Sequence, residues 1–312
     1  MRMAHPSEAK IVPYLDYDRN AQTYPLTDAF KLVKAPSEKF AQYWAIYRNI
    51  NEDFTLDYAV QANEIADVPF CYWIQQNNQT IGGSILLPNN LGDMFLVPPF
   101  SDWDTALGAV LPLLHHWSDK PIQAQQITHP QMEALVRHGF RVTSSRRWMI
   151  RPTQTYSDRS IAPYTVASIS KDQTDTLAKL FYDAFSQSDD VSYRDRPLEQ
   201  HQDSVENYFD QLTEGDRCYE ASKSVYDDDK LIATVLVQMH NDMPSIRFAV
   251  THPAYQRKGL GKHLIEQAIH TLAADFTAVK LAVTDGNPAQ AIYYHMGFMP
   301  GDPIYSLVHD GD

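Results

Sequence analysis

Both halves of this sequence close in the same way. His138-Gly139-Phe140 precedes one strand-like run, and Met296-Gly297-Phe298 precedes another. Ahead of each lies a similar order of elements, and this recurrence constrains the fold more than any single motif. In the second half the patterning predicts strands over 164–169, 218–226, 231–239, 245–250, 278–283 and 304–308. Helices are predicted over 174–185, 199–212 and 288–296, and from Gly261 onward. The helix over 174–185 rests on Leu177, Leu180, Phe181 and Ala184, which recur at helical spacing. In the first half, strands over 70–75, 80–87, 93–97 and 122–127 and helices over 104–117 and 130–138 follow the same plan. A polar, proline-bearing segment over 151–160 reads as the joint. The expected fold class is therefore α/β, in two units covering residues 1–155 and 156–312. A period of half the chain is a domain duplication, not a solenoid.

Composition narrows the function classes. Net charge is −13 over 312 residues, and it divides as −2 for residues 1–155 and −11 for the remainder. An acidic second half repels phosphate backbones, so nucleic acid is not the expected partner. No run approaches the ~18 apolar residues of a membrane span, so no membrane partner is expected. Residues 1–14 lack the apolar stretch of a signal peptide, and the expected compartment is the cytoplasm. Cys71 and Cys218 lie far apart with no metal-type spacing, which argues against both a disulfide framework and a zinc site. His115 and His116 are neighbours on one predicted helix and face different ways, so no metal is expected there.

The chemistry concentrates between the strand over 245–250 and the helix that follows. Gln256-Arg257-Lys258-Gly259-Leu260-Gly261-Lys262 places two glycines and three cations at a helix mouth. Glycine lets the backbone adopt positive φ and leaves one side free of Cβ atoms. Successive main-chain N–H groups, the free N–H groups of the helix start and the helix dipole then converge on one concavity suited to phosphate. The pattern is neither a P-loop nor a dinucleotide-binding fingerprint.

Read with its strand, the stretch runs V-x-x-P-x-Y-Q-x-x-G-x-G from Val250 to Gly261. It resembles the acyl-CoA-binding motif of the GNAT superfamily of N-acetyltransferases. A second segment, Asn287 to Phe298 with Tyr293 four residues before Gly297, resembles the family's closing signature. The resemblance covers the second half closely; the first half shares only the element order. It implies tandem GNAT-like domains, each a mixed, mostly antiparallel sheet flanked by helices, with acetyl-CoA as cosubstrate and a small-molecule primary amine as acceptor. It further implies that the main chain of Phe248 faces the thioester carbonyl and that of Val250 the pantetheine, with Ala249 between them. Gln256, Arg257, Lys258, Gly259, Leu260, Gly261 and Lys262 would hold the pyrophosphate, Asn287 would contact the cofactor, and Tyr293 would be the acid beside the sulfur.

Some family members carry a glutamate base on the strand that is 245–250 here, but this chain has Ser245, Ile246 and Arg247 there. Glu220, expected on a neighbouring strand, is the favoured substitute, with Asp183, Asp190 and Asp242 as others. Asp189, Asp190 and Tyr193, in the loop over 186–197, are candidates to meet an ammonium. In the first half Pro98-Pro99-Phe100-Ser101-Asp102 stands where the glycine loop would be, and Leu135 stands at the tyrosine position. That copy is expected to be degenerate, without productive CoA binding. A non-catalytic acyl-CoA-binding regulatory module is the competing function.

Overall fold

A computed structural model describes residues 14–48, 54–55, 57–157, 159–188, 190, 193–213 and 215–311. The leader expectation for residues 1–14 lies almost wholly outside them, as does Asp189. The chain divides into two compact units, one formed by residues 1–145 with 303–312, the other by residues 146–302.

The first unit carries β1 (Thr23–Pro25), β2 (Phe30–Lys34), α1 (Ser37–Tyr47), α2 (Tyr58–Asn63), β3 (Cys71–Gln76), β4 (Gln79–Leu87), β5 (Asn90–Leu96), α3 (Trp103–Trp117), β6 (Ile122–Ile127), α4 (His129–Arg137) and the start of β7 (Arg141–Pro152). The second holds the rest of β7, then β8 (Thr165–Ser168), α5 (Thr174–Phe185), α6 (Leu198–Asp210), α7 (Arg217–Ala221), β9 (Lys223–Asp227), β10 (Lys230–His240), β11 (Met243–Thr251), α8 (Leu260–Leu272), β12 (Ala278–Thr284), α9 (Ala289–His295) and the start of β13 (Met299–His309).

Sheet order in the first unit is β1-β2-β3-β4-β5-β6-β13, and in the second β7-β12-β11-β10-β9-β8. Within each unit one neighbouring pair is parallel, β5 with β6 and β11 with β12. Each of these pairs is joined through a helix, as a parallel connection requires. The closing strands are exchanged. From Arg146 onward β7 lines β12, with Ile150 opposite Lys280. The end of β13 lines β6, with Leu307 opposite Ala124. The division therefore falls ten residues before the expected boundary at 155, and the last ten residues return to the first unit.

Period-two alternation sorts the core of the second unit onto two faces. Val279, Leu281 and Val283 of β12 pack with Leu264, Ile265, Ala268 and Leu272 of α8. Leu236 of β10 and Phe248 and Val250 of β11 pack with Leu177, Leu180 and Phe181 of α5 and Val205 and Tyr208 of α6. Leu264 is fully buried, so a Leu264→Ala change is expected to lower unfolding stability by ~2–5 kcal/mol, read from a chemical-denaturation midpoint.

One expected strand is a helix at its start. Residues 217–221 form α7, because the Asp216 carboxylate accepts the Tyr219 N–H at 2.8 Å and Cys218 and Ala221 bury one turn apart. The strand over 218–226 shrinks to β9.

Candidate active site

The site begins where two strands part. β11 pairs with β12 only at Ser245↔Lys280 and Ile246↔Leu281. Beyond that point β12 runs on to Thr284 and β11 to Thr251, with no ladder between them. On its other edge β11 stays paired with β10, through a bulge at Arg247: Leu236 faces Phe248, and Val237 faces Ile246. A bulge adds one residue to one strand and bends it, and here it sits at the parting.

Hydrogen bonding fixes which β11 groups face the gap. The His252 N–H donates to the Ile232 carbonyl at 2.8 Å, so residue 252 faces β10. The Val237 N–H donates to Ser222 Oγ at 2.9 Å, so residue 237 faces away from β11, and Leu236 and Thr234 face towards it. In an antiparallel ladder residues alternate between bonding the partner and turning away. Phe248 and Val250, opposite Leu236 and Thr234, thus spend their main-chain groups on β10. Ala249 and Thr251 turn theirs to the gap. This corrects the expectation for Phe248 and Val250 by one residue. Their side chains instead fill the core beneath α5 and α6.

After Thr251 the chain makes a 3-10 turn over Pro253–Tyr255, with the His252 Nδ1 accepting the Ala254 N–H at 3.2 Å. The Tyr255 hydroxyl donates to Asp227 Oδ2 at 2.7 Å, which pins the turn. Arg257 then adopts φ 61° and Gly259 φ 82°, both left-handed. Gly259 is the N-cap of α8 and offers no capping side chain; the first helical bond runs from the His263 N–H to its carbonyl at 3.0 Å. The N–H groups of Leu260, Gly261 and Lys262 precede that bond and have no partner within the helix. A Cβ on Gly259 would meet nothing within 4 Å. The glycine is therefore needed for its φ, and the space beside it is open. A Cβ on Gly261 would lie 3.4 Å from Thr251 Oγ1, so the helix start sits close on the end of β11.

The cations line this mouth. Arg257, Lys258 and Lys262 are exposed. The Lys258 ammonium lies 4.8 Å from the Tyr255 ring centroid and donates to the Tyr164 hydroxyl at 3.1 Å. Lys262 Nζ lies 3.8 Å from Glu266 Oε1, one turn along α8. Leu260 is buried, so only its main chain can serve an anion. Gln256 Nε2 donates back to the Thr251 carbonyl at 3.3 Å and braces the loop.

α9, which follows β12 in the chain, carries Tyr293. Its ring packs edge-on to Phe298, with centroids 6.1 Å apart. Burial, and secondarily the Asp190 carboxylate, push its phenol up to about 12. Tyr294 is 62% exposed, so of the adjacent pair only Tyr293 faces the protein. Asn287 does not present a free amide. Its Oδ1 accepts the Ala289 N–H at 2.9 Å, and its Nδ2 donates to Asp190 Oδ2 at 3.2 Å. The Thr284 hydroxyl donates to Asp190 Oδ1 at 3.1 Å. Asn287, Thr284, Asp190 and Tyr293 form one cluster at the end of β12.

The expected bases separate clearly. Glu220 is exposed on α7 and pairs with Arg217, which also pairs with Asp275. Asp275 lies three residues beyond the end of α8, and a 13-residue helix puts ~20 Å between that end and the glycine loop. Glu220 therefore does not join the site. Asp242 occupies the β10–β11 turn, seven residues and ~23 Å along the strand from Ala249. Asp183 is engaged by Lys179. Asp190 alone of the carboxylates considered lies in the cluster. Its place is set by a contact across more than ninety residues, for which the sequence carries no local signal.

The first unit parts its strands in the same way, since β5 and β6 pair only over Asn90↔Gln123 to Gly92↔Gln125. Its mouth differs. The Asp102 carboxylate caps α3, accepting the Thr105 N–H at 3.0 Å, so negative charge occupies the helix start. Leu135 is buried in the core. At the bulge Asp93, with φ 47°, is held by Trp44 Nε1 and Arg48, each at 3.2 Å. Among the described residues no group of three or more metal-ligating side chains converges.

The sequence model of the acetyltransferase (GNAT) family matches residues 177–298, all within the second unit. Residues 177–298 form a GNAT-family domain. No curated protein matches the chain in sequence. Among solved structures, a GCN5-related N-acetyltransferase from Sphaerobacter thermophilus shares 13% identity over 91% of this chain and 96% of its own, with a TM-score of 0.64. A tandem GNAT protein from the clavulanic acid biosynthesis pathway shares 12% identity over 90% of this chain and 98% of its own, at 0.55. A GNAT-family acetyltransferase from Colwellia psychrerythraea shares 12% over 90% and 99%, at 0.53. At such identities the likeness is one of fold, and it extends over both units of the chain. A GNAT domain is an acetyltransferase domain, and its general chemistry is acyl transfer.

Proposed function

We propose that the protein is an acetyl-CoA-dependent N-acetyltransferase that acylates a primary amine of a small molecule by direct attack, using the GNAT domain alone. The observation that carries this reading is the parted β11–β12 pair, which opens onto the glycine-bent start of α8. A pantetheine arm needs main-chain partners, and Ala249 turns both of its groups to the gap and Thr251 its N–H, the Thr251 carbonyl being engaged by Gln256 Nε2. A pyrophosphate needs converging N–H groups and positive charge, and residues 257–262 supply both.

The residues divide the work by position. The Ala249 N–H is placed to bind the thioester oxygen, where negative charge grows during attack. Leu260, Gly261 and Lys262 give main-chain N–H groups to the diphosphate, and Arg257, Lys258 and Lys262 add long-range attraction. Tyr293 gives its phenolic proton to the leaving sulfur. Asn287 holds the start of α9 and so sets where Tyr293 points. The first unit, with an acidic cap at its mouth and Leu135 in place of a phenol, is read as a copy that binds no CoA.

The test is thiol release from acetyl-CoA, followed with a thiol dye across a panel of primary amines. Amine-dependent release supports the enzyme. Tight CoA binding with no amine-dependent release gives the regulatory-module reading instead. Because exposed basic groups contribute to binding, CoA affinity is expected to fall several-fold between low and physiological salt, measured by calorimetry. Glu220→Gln is expected to leave turnover within about twofold, since surface changes away from a site have small effects. A hundred-fold loss would return Glu220 to the mechanism.

A further inference from the structure

The connection between α5 and α6 bridges the parted strands. Asp190 meets the end of β12 through Thr284 Oγ1 and the turn beyond it through Asn287 Nδ2. A few residues later the Tyr193 ring packs edge-on against Phe248 of β11, with centroids 6.1 Å apart. An acceptor that reaches the Ala249 N–H from the α5–α6 side therefore passes the residues that flank this bridge. Two of them are arginines. The Arg196 guanidinium lies over the Tyr193 ring, 4.4 Å from its centroid, and that of Arg247 lies over the Phe248 ring at 5.3 Å. Phe185 backs Tyr193 at 4.8 Å, and Phe181 backs Phe248 at 4.8 Å. The two guanidiniums thus share one continuous aromatic base.

Among the described residues, neither guanidinium has a carboxylate or a hydrogen-bond partner. Neighbouring Arg194, by contrast, pairs with Asp195 at 3.5 Å. Arg247 is exposed and Arg196 half-buried. Burial and, secondarily, the Arg196 charge hold the His201 imidazole below its usual range, so that charge is felt inside the helix pair. A guanidinium laid over a ring keeps its in-plane N–H donors in a fork that fits a carboxylate or a phosphate. It stays charged at any working pH, so it cannot take a proton from an amine. Two cations over one aromatic base repel a purely cationic acceptor and draw an anionic one. Arg247 is the bulge residue of β11, two before Ala249 and ~7 Å from it along the strand. An anion held by the arginines then sits a few bonds from an amine nitrogen at the thioester.

We propose that Arg196 and Arg247 form an anion subsite for the acceptor, so that the amine this domain acylates also carries a carboxylate or phosphate group. This rests on the acyl-transfer reading of the same site and narrows its substrate class. The subsite replaces the ammonium contact expected of Tyr193, whose ring carries the Arg196 guanidinium.

Turnover with matched acceptors tests it. Amino acids are set against their amides, and O-phosphoethanolamine against ethanolamine, at saturating acetyl-CoA. For the wild type, kcat/KM is expected to be at least ~10-fold higher with the anionic member of a pair. Preference within the carboxylate or the phosphate pairs supports the subsite and names its anion. Arg247→Gln and Arg196→Gln are each expected to lose ~10–100-fold in kcat/KM with that acceptor, the size of one charge-assisted hydrogen-bond contact. The loss is expected in KM more than in kcat, with CoA affinity by calorimetry within about threefold. The matched neutral amine is expected to lose far less, under about threefold. Arg247→Lys and Arg196→Lys keep the charge without the fork and are expected to recover part of the rate. Equal losses with both members of a pair would mean a packing role over Tyr193 and Phe248 and overturn the proposal. No loss with either member, or a wild type that prefers the neutral one, would overturn it too. CoA binding without turnover of any amine would fail the acyl-transfer reading itself and take this proposal with it. Turnover confined to amines without an anionic group would sink the arginine assignment alone.

Discussion

Gly259→Val is expected to weaken acetyl-CoA binding by ~100-fold or more while leaving the fold intact. Gly259 holds φ 82° at the mouth of α8, and its missing Cβ would meet nothing within 4 Å. The substitution therefore introduces no clash. It penalises the backbone conformation, by ~1–2 kcal/mol for an ordinary L-residue and more for a β-branched one. The loop relieves that strain by rotating φ away from the left-handed region, which turns the N–H groups of residues 260–262 out of register with the diphosphate. Two charge-assisted hydrogen bonds lost at ~1.5–3 kcal/mol each correspond to roughly two to four decades of affinity. Calorimetry reads the affinity, and an unchanged circular-dichroism melt separates the loss of the cradle from loss of the fold. Gly261→Val acts differently, since a Cβ there would lie 3.4 Å from Thr251 Oγ1. It is expected to disturb the seat of α8 on β11 and to lower the melting temperature as well.

Tyr293→Phe is expected to lower kcat by about 100-fold, equivalent to ~2.7 kcal/mol of barrier, with CoA affinity changed by less than threefold. Phenylalanine keeps the edge-on packing against Phe298, so only the hydroxyl is tested. The pH dependence follows from the phenol's raised value of about 12. The acid remains protonated across the working range, so the rate rises with pH as the amine side loses protons and then holds a plateau. An alkaline fall well below pH ~10, where an ordinary tyrosine titrates, would show that the phenol is not shielded as described. The same shift affects stability with a definite sign. A folded-state pKa raised above the unfolded one gives stability that is fully present below ~10 and is lost as pH rises through about 12. Tyr293→Phe is expected to soften the alkaline unfolding of the chain for that reason.

Much of the GNAT domain could be read from sequence, because its helices and strands are patterned locally. The apolar spacing of Leu177, Leu180, Phe181 and Ala184 places α5, and the bend at Gly259 marks the start of α8. The misses have physical causes. The family resemblance assigns the exposed main chain to Phe248 and Val250. The bulge at Arg247 and the turn after His252 instead leave Ala249 and Thr251 facing the gap. A ladder's hydrogen-bonding face depends on its partner strand, which composition does not encode. Glu220 was misplaced because five residues under an Asp216 cap form a helix too short for periodicity to show. The exchange of β7 and β13 was equally hidden, since a strand's own residues do not say which sheet it will close. Asp190 was only one carboxylate among several, because Thr284 and Asn287 reach it from a distant part of the chain.

The first unit supplies the internal control for the central claim. It has the same parted strands, but Asp102 caps its helix mouth and Leu135 fills the phenol's position. Isothermal titration of the full chain with acetyl-CoA therefore tests the account most directly. One binding event per chain, abolished by Gly259→Val, is the predicted result. No heat, or two equivalent events per chain that survive the substitution, would contradict it.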